Sequence, residues 1–122
     1  MGDRAVARAI AFARRFAETA RLSSDAADRL VVVVEEWAAN IVEHSAAVPA
    51  SLIVLTLERA GDGARITFTD AGVAFDPRDA EDDGPNLERG GGAGIALIRS
   101  WCEIESYRRR SGRNRLVLRS KS

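Results

Sequence analysis

Residues 31–44 read Val-Val-Val-Val-Glu-Glu-Trp-Ala-Ala-Asn-Ile-Val-Glu-His, a β-branched run followed by two glutamates, then an asparagine and a histidine at helical spacing. If the segment is one helix, Glu36, Asn40 and His44 fall at i, i+4 and i+8 and stack along one stripe, while Val34, Trp37, Ala38 and Ile41 turn elsewhere. So apolar a helix has to be buried against a second layer. The polar stripe beside that surface is either solvated, as on an ordinary surface helix, or one wall of a site.

The flanking segments supply the second layer. From Arg4 to Ala20, Val6, Ile10, Ala13, Phe16 and Ala17 recur every three or four positions between Arg4, Arg8, Arg14, Arg15 and Glu18, which predicts an amphipathic helix. The pattern breaks at Leu22 to Asp25. Ser23 or Ser24 can cap a second helix whose first turn carries Asp25 and Asp28, the charge sign that suits a helix N-terminus. This helix is expected to end near Ser45, ahead of Pro49.

Residues 51–59 then alternate as a strand rich in β-branched side chains, with both faces expected to be buried. Gly61-Asp62-Gly63 is a hairpin signal, and residues 64–70 return as an antiparallel neighbour with Ile66 and Phe68 on one face. From Ala71 to Gly94 the chain is rich in glycine, proline and acidic groups, a long aperiodic stretch of the kind that is functional or mobile inside a compact domain. Residues 94–101 resume as a helix that starts at the glycines. Residues 102–110 and 115–120 read as strands joined by a turn at Gly112. The order implies an α+β fold, a two-layer α/β sandwich with helices on one face of a mixed, mostly antiparallel sheet, and one domain spanning residues 1–122.

Composition removes several function classes. The 122 residues carry 18 basic and 18 acidic side chains, so the formal charge is zero and direct nucleic-acid binding by the whole surface is not expected. Seven basic groups between Tyr107 and Lys121 make that end locally positive, which suits an anionic ligand or partner. One cysteine, Cys102, cannot form an internal disulfide, and there is no cysteine and histidine cluster of the kind that holds zinc. No apolar run approaches the roughly 20 residues needed to span a bilayer. The arginine-interrupted start does not read as a secretory signal, so a cytoplasmic protein without membrane partners is expected.

Four short features remain: Glu36-x-x-x-Asn40, Asp70-x-Gly72, Phe75-Asp76, and the glycines 90, 91, 92 and 94. Each is weak alone, and their joint order is the signal. Glycines that open a helix let a phosphate approach backbone N–H groups where the helix dipole favours negative charge, and Gly92 to Gly94 is placed for that. The run lacks the Gly-Lys-Ser/Thr ending of a P-loop and follows no strand, so neither a Walker site nor a dinucleotide fingerprint applies. Asn40 offers a neutral oxygen suited to Mg²⁺, which takes few protein ligands and draws on phosphate oxygens for the rest. Glu36, one turn earlier, is then in reach of a nucleophile attacking a terminal phosphate.

In this order the residues Glu36-Trp-Ala-Ala-Asn40-Ile-Val-Glu-His44, Asp70-Ala-Gly72-Val-Ala-Phe75-Asp76 and Gly90-Gly-Gly-Ala-Gly94 resemble the N, G1 and G2 boxes of the GHKL (Bergerat-fold) ATPases. Within that superfamily they look most like the anti-sigma-factor serine kinases of the RsbW type, over residues 22–120. The resemblance implies ATP and Mg²⁺ as ligands, with Asn40 on the metal and Glu36 as general base toward a serine hydroxyl of a partner. Asp70 would accept the adenine amino group, and Gly72 would admit the base to the backbone. Gly92 and Gly94 would wrap the phosphates, residues 77–89 would form the lid, and Arg89 would reach the γ-phosphate. The implied partners are a STAS-domain antagonist, which carries the serine, and a sigma factor or other regulator that is sequestered in turn; a homodimer is also compatible.

Two positions depart from the family pattern. Ala74 stands where the G1 box usually has a second glycine, and its methyl would crowd the adenine or the lid. Only Met1, Gly2 and Asp3 precede the first helix, in place of the strand through which family members pair. The alternative reading is a nucleotide-dependent partner-binding switch with little or no kinase activity. A sensor histidine kinase domain is disfavoured because the chain has no second histidine to accept phosphate. His44 is expected to interact with helix-end carbonyls, Glu35 to be solvated or a reserve carboxylate, Trp37 and Trp101 to be core aromatics, and Cys102 to be a buried small hydrophobe.

Overall fold

A computed structural model of the protein describes residues 2–44, 53–71 and 91–120. Their elements run α1 (Gly2–Thr19), α2 (Ser24–His44), β1 (Val54–Ala60), β2 (Gly63–Asp70), α3 (Gly91–Trp101), β3 (Cys102–Arg110) and β4 (Arg113–Ser120). None of these helices is long and apolar enough to cross a membrane.

Local chemistry sets the boundaries. Helix α1 ends in a Schellman turn: Leu22 N–H donates to Ala17 O at 3.0 Å and Arg21 N–H to Glu18 O at 3.1 Å, with Arg21 held at φ 55°. Arg59 reaches across from β1 and donates to Ala20 O at 2.6 Å, fastening that turn to the sheet. Ser23 is the cap of α2, its Oγ accepting from Ala26 N–H at 3.1 Å.

Both hairpins have two-residue loops that match the twist of the strands. Gly61 takes φ 58° at the first position of one, and Ser111 and Gly112 take φ 54° and 76° in the other.

The sheet order is β1-β2-β4-β3, and every neighbouring pair is antiparallel. The sheet, expected as mixed and mostly antiparallel, is antiparallel throughout its described strands. The chain between β2 and β3 carries α3 and returns to the far edge, so β4 folds back between two strands that run the same way. Glu105 is an extra residue in β3, where the register shifts between Ile104 and Ser106.

One face of this sheet carries the core. Ile66 and Phe68 of β2, Leu116 and Leu118 of β4 and Cys102 of β3 share one buried core with Leu30, Val33, Val34, Trp37 and Ile41 of α2, Ile98 of α3 and Ala13 and Ala17 of α1. The helices therefore lie on one face of the sheet, as expected from the sequence.

The other face is polar. Glu58, Arg65, Arg119 and Glu103 form one cross-strand row, and Arg65 also reaches over β4 to Glu105, Nε to Oε1 at 2.7 Å. The guanidinium holds the Glu105 carboxyl below its ordinary value. Burial of both faces of β1, expected from its apolar run, is not observed: Val54 is 50% exposed, and Thr56 and Glu58 are exposed on the same side. As an edge strand of a sheet with helices on one side, β1 has that row left uncovered by the described residues.

Candidate functional site

The polar stripe of α2 lies where the buried face of the helix gives way to solvent. Trp37, Ala38 and Ile41 are in the core, Glu35, Ala39 and Glu43 are exposed, and Glu36 and Asn40 fall between, partly buried. This boundary runs beside α3. A β-carbon built on Gly94 would lie 2.3 Å from Glu36 Oε2, 3.1 Å from its Cδ and 3.3 Å from its Cβ. Glycine at 94 is what lets the Glu36 side chain lie against the first turn of α3.

That turn is built by the glycine run. Gly91 opens α3, and Gly92 and Gly94 follow within the first turn, whose N–H groups have no partners inside the helix and whose dipole end is positive. Glycine at 91, 92 and 94 leaves those positions of the turn without side chains. Burial raises the pKa of the Glu36 carboxyl above 4.5, and the neighbouring charge of Glu35 raises it further. Glu36 thus holds a proton more readily than a free glutamate, the property a general base needs in order to accept one. Asn40 lies one turn further along α2 on the same stripe and is partly buried.

Asp70 ends β2 on the helix-facing side, in line with Ile66 and Phe68, and is 6% exposed. A carboxylate this deep requires polar company. Asn114 of β4 is paired with it in the ladder, and its Nδ2 donates to Asp70 Oδ1 at 3.1 Å. Asn114 Oδ1 in turn accepts from the Tyr107 hydroxyl and from Arg109 Nη1, the latter at 2.9 Å. The network crosses three strands, from β3 through β4 to β2.

Asn114 and its two donors are not visible as site residues from sequence alone. Asn114 reads there as part of the Ser-Gly-Arg-Asn turn, and its position opposite Asp70 is a matter of strand register, which local pattern does not contain.

Of the residues singled out from the sequence, Glu36, Asn40, Gly92 and Gly94 are gathered on α2 and the start of α3, and Asp70 sits at the end of the strand on which α2 packs. Gly72, Ala74, residues 77–89 and Arg89 lie outside the described residues. His44 is the last residue of α2. Trp37 is buried, as expected of a core aromatic, and Trp101 is half-buried with the Arg29 guanidinium 5.9 Å from its ring centroid. Cys102 is buried and in no disulfide.

Among known families, that of the histidine kinase-like ATPase domain matches residues 3–120 of the chain. No curated protein and no solved structure matches the chain.

Proposed function

The chain belongs to the histidine kinase-like ATPase domain family, and from that premise we propose that it is an ATP-dependent protein serine kinase and anti-sigma factor of a partner-switching system. Its substrate is a serine on a STAS-type antagonist, and it sequesters a sigma factor or another regulator when that antagonist is phosphorylated. The observation that carries the kinase reading is the Glu36 carboxylate, raised in proton affinity and lying against Gly94 in the first turn of a helix opened by glycines.

Each residue has a defined task. Asp70, buried and acceptor-only, takes the adenine amino group. Gly92 and Gly94 leave the N–H groups of α3 open to the phosphates, where the helix dipole adds attraction. Asn40 would hold Mg²⁺ through its hard neutral amide oxygen, and the ion would supply charge neutralisation of the phosphates. Glu36 takes the proton of the serine hydroxyl as the serine oxygen bonds to the γ-phosphorus and the bond to the β-phosphate oxygen breaks, releasing ADP. Gly72 and Arg89 are assigned to the base and the γ-phosphate on the family resemblance alone.

The test is transfer of label from γ-labelled ATP, with Mg²⁺, to the serine of a STAS-domain protein encoded beside this chain. The reading expects labelled serine, loss of transfer with retained ATP binding in Glu36→Ala, and loss of Mg²⁺-dependent binding in Asn40→Ala. Intact ATP binding without label on the serine would leave a partner-binding switch rather than a kinase. Full transfer by Glu36→Ala would remove Glu36 from the chemistry.

A further inference from the structure

We propose that the four arginines at the hairpin end of the outer sheet face form a docking surface for a protein partner that presents an extended acidic segment. Arg108 and Arg110 of β3 and Arg113 and Arg115 of β4 carry it. None of them is assigned to the nucleotide, so the inference stands apart from the kinase reading.

Strand register puts all four on one face. Arg108 pairs with Arg115 and Arg110 with Arg113, while Tyr107 and Arg109, which alternate with them on β3, pair with Leu116 and Asn114 on the side of the helices. All four arginines are exposed. Residues two apart along a strand are separated by about 6.7 Å and directly opposed residues by about 5 Å, so four guanidinium groups rise from one small patch. The other end of the same face shows what such an arrangement requires. Arg65 and Arg119 are also opposed across a ladder, but Glu58 of β1 and Glu103 of β3 flank them in the row, and Glu105 accepts from Arg65 Nε at 2.7 Å. In the row of Arg108 and Arg115 the β2 neighbour is Thr69 and the β1 neighbour Val54, and neither carries charge. Among the described residues no carboxylate forms an ion pair with any of the four. Their mutual repulsion is therefore uncompensated in the free chain.

The complementary charge has a definite form. An extended segment laid along the strands repeats its same-face side chains every two residues, which is the repeat of Arg108 to Arg110 and of Arg113 to Arg115. Carboxylates at alternate positions then meet guanidinium groups in register, a pairing that arginine makes with two parallel hydrogen bonds. One exposed pair adds little, so the affinity comes from several formed together. The rest of the face limits the partner. Next to the patch runs a neutral row of Thr67, Val117 and Ser106, and beyond it the row holding Glu58 and Glu103 begins about 13 Å from Arg115 along the strands. A nucleic acid, whose phosphates continue past a patch of this size, runs into those carboxylates. A short acidic segment followed by neutral residues does not.

The full chain is titrated, by fluorescence anisotropy at low salt, into a labelled peptide that alternates Glu with Thr, into the same peptide with Gln for Glu, and into an oligothymidylate of equal length. The wild type is expected to bind the acidic peptide saturably and about fivefold or more tighter than either control, with the affinity falling as salt is raised past about 0.15 M. Arg110→Gln/Arg113→Gln and Arg108→Gln/Arg115→Gln are each expected to lose about fivefold or more while melting no lower than wild type, because the substitutions relieve opposed charges in the ladder. Arg8→Gln/Arg14→Gln, which removes the same charge from exposed positions of α1, is expected to stay within about twofold. Equal losses in the α1 variant and the hairpin variants would reduce the effect to net charge and overturn the patch. Tighter binding of the oligonucleotide would turn the face over to nucleic acid, and a wild type that does not bind the acidic peptide would end the proposal outright. Every one of these readings is made without ATP, so neither outcome bears on the nucleotide site.

Discussion

Glu36 is the residue on which packing and chemistry press in opposite directions. Its carboxyl is half sheltered beside Gly94, and burial first and Glu35 second raise its pKa above 4.5. A group whose folded pKa is raised adds stability below its unfolded pKa and loses that contribution as pH rises through the folded value. Glu36→Gln should therefore melt higher than wild type at pH 8, with the gap closing as the pH approaches 4; a gap independent of pH in calorimetric melts would contradict the burial argument. Gly94→Ala probes the same contact from the other side. Its methyl would meet Glu36 Oε2 at 2.3 Å, and the carboxylate, the far end of a flexible side chain, would swing aside. The fold should survive, with transfer to the partner serine falling on the order of a hundredfold and by more than ATP affinity does, since a displacement of about 1 Å in a catalytic group is worth that much. Equal transfer rates for wild type and Gly94→Ala would refute the assignment.

At the scale of elements, two features hold the fold at a cost. Arg21 closes α1 at φ 55°, a conformation that disfavours a residue with a β-carbon. Arg21→Gly should raise stability by about 1 kcal/mol, read as a rise of about 3–4 °C in melting temperature. The β3–β4 hairpin sets Arg108 opposite Arg115 and Arg110 opposite Arg113, all exposed, and like charges facing each other in an antiparallel pair destabilise it. Arg108→Glu should gain about 0.5 kcal/mol at low ionic strength in denaturant titrations, and the gain should shrink as salt is raised past about 0.15 M. A gain insensitive to salt would point to another cause.

For the molecule as a whole, what could be read from the sequence was what is local. Gly61 and Gly112 announce their turns, Ser23 or Ser24 the cap of α2, and the spacing of Val34, Trp37, Ala38 and Ile41 its buried face, because each depends on neighbours within a turn or two. The two-layer arrangement followed from the order of those elements. The apolar run of β1 fits a strand buried on both faces, whereas the exposure of Val54 follows from the place of β1 at the sheet edge, which local pattern does not contain. The partnership of Asn114 with Asp70 likewise depends on the register between strands far apart in the chain. Glu36 and Gly94 were singled out as members of separate motifs, and the packing of α2 on α3 turns them into one contact.

The account stands or falls on that end of the molecule binding ATP through the residues named. Calorimetric titration of the full chain with ATP, with and without Mg²⁺, is the most direct measurement. The account predicts saturable one-to-one binding that strengthens with Mg²⁺ in the wild type, loses the Mg²⁺ enhancement in Asn40→Ala, and weakens about tenfold or more in Asp70→Asn. No binding by the wild type, or the same affinity and Mg²⁺ response in all three proteins, would contradict it.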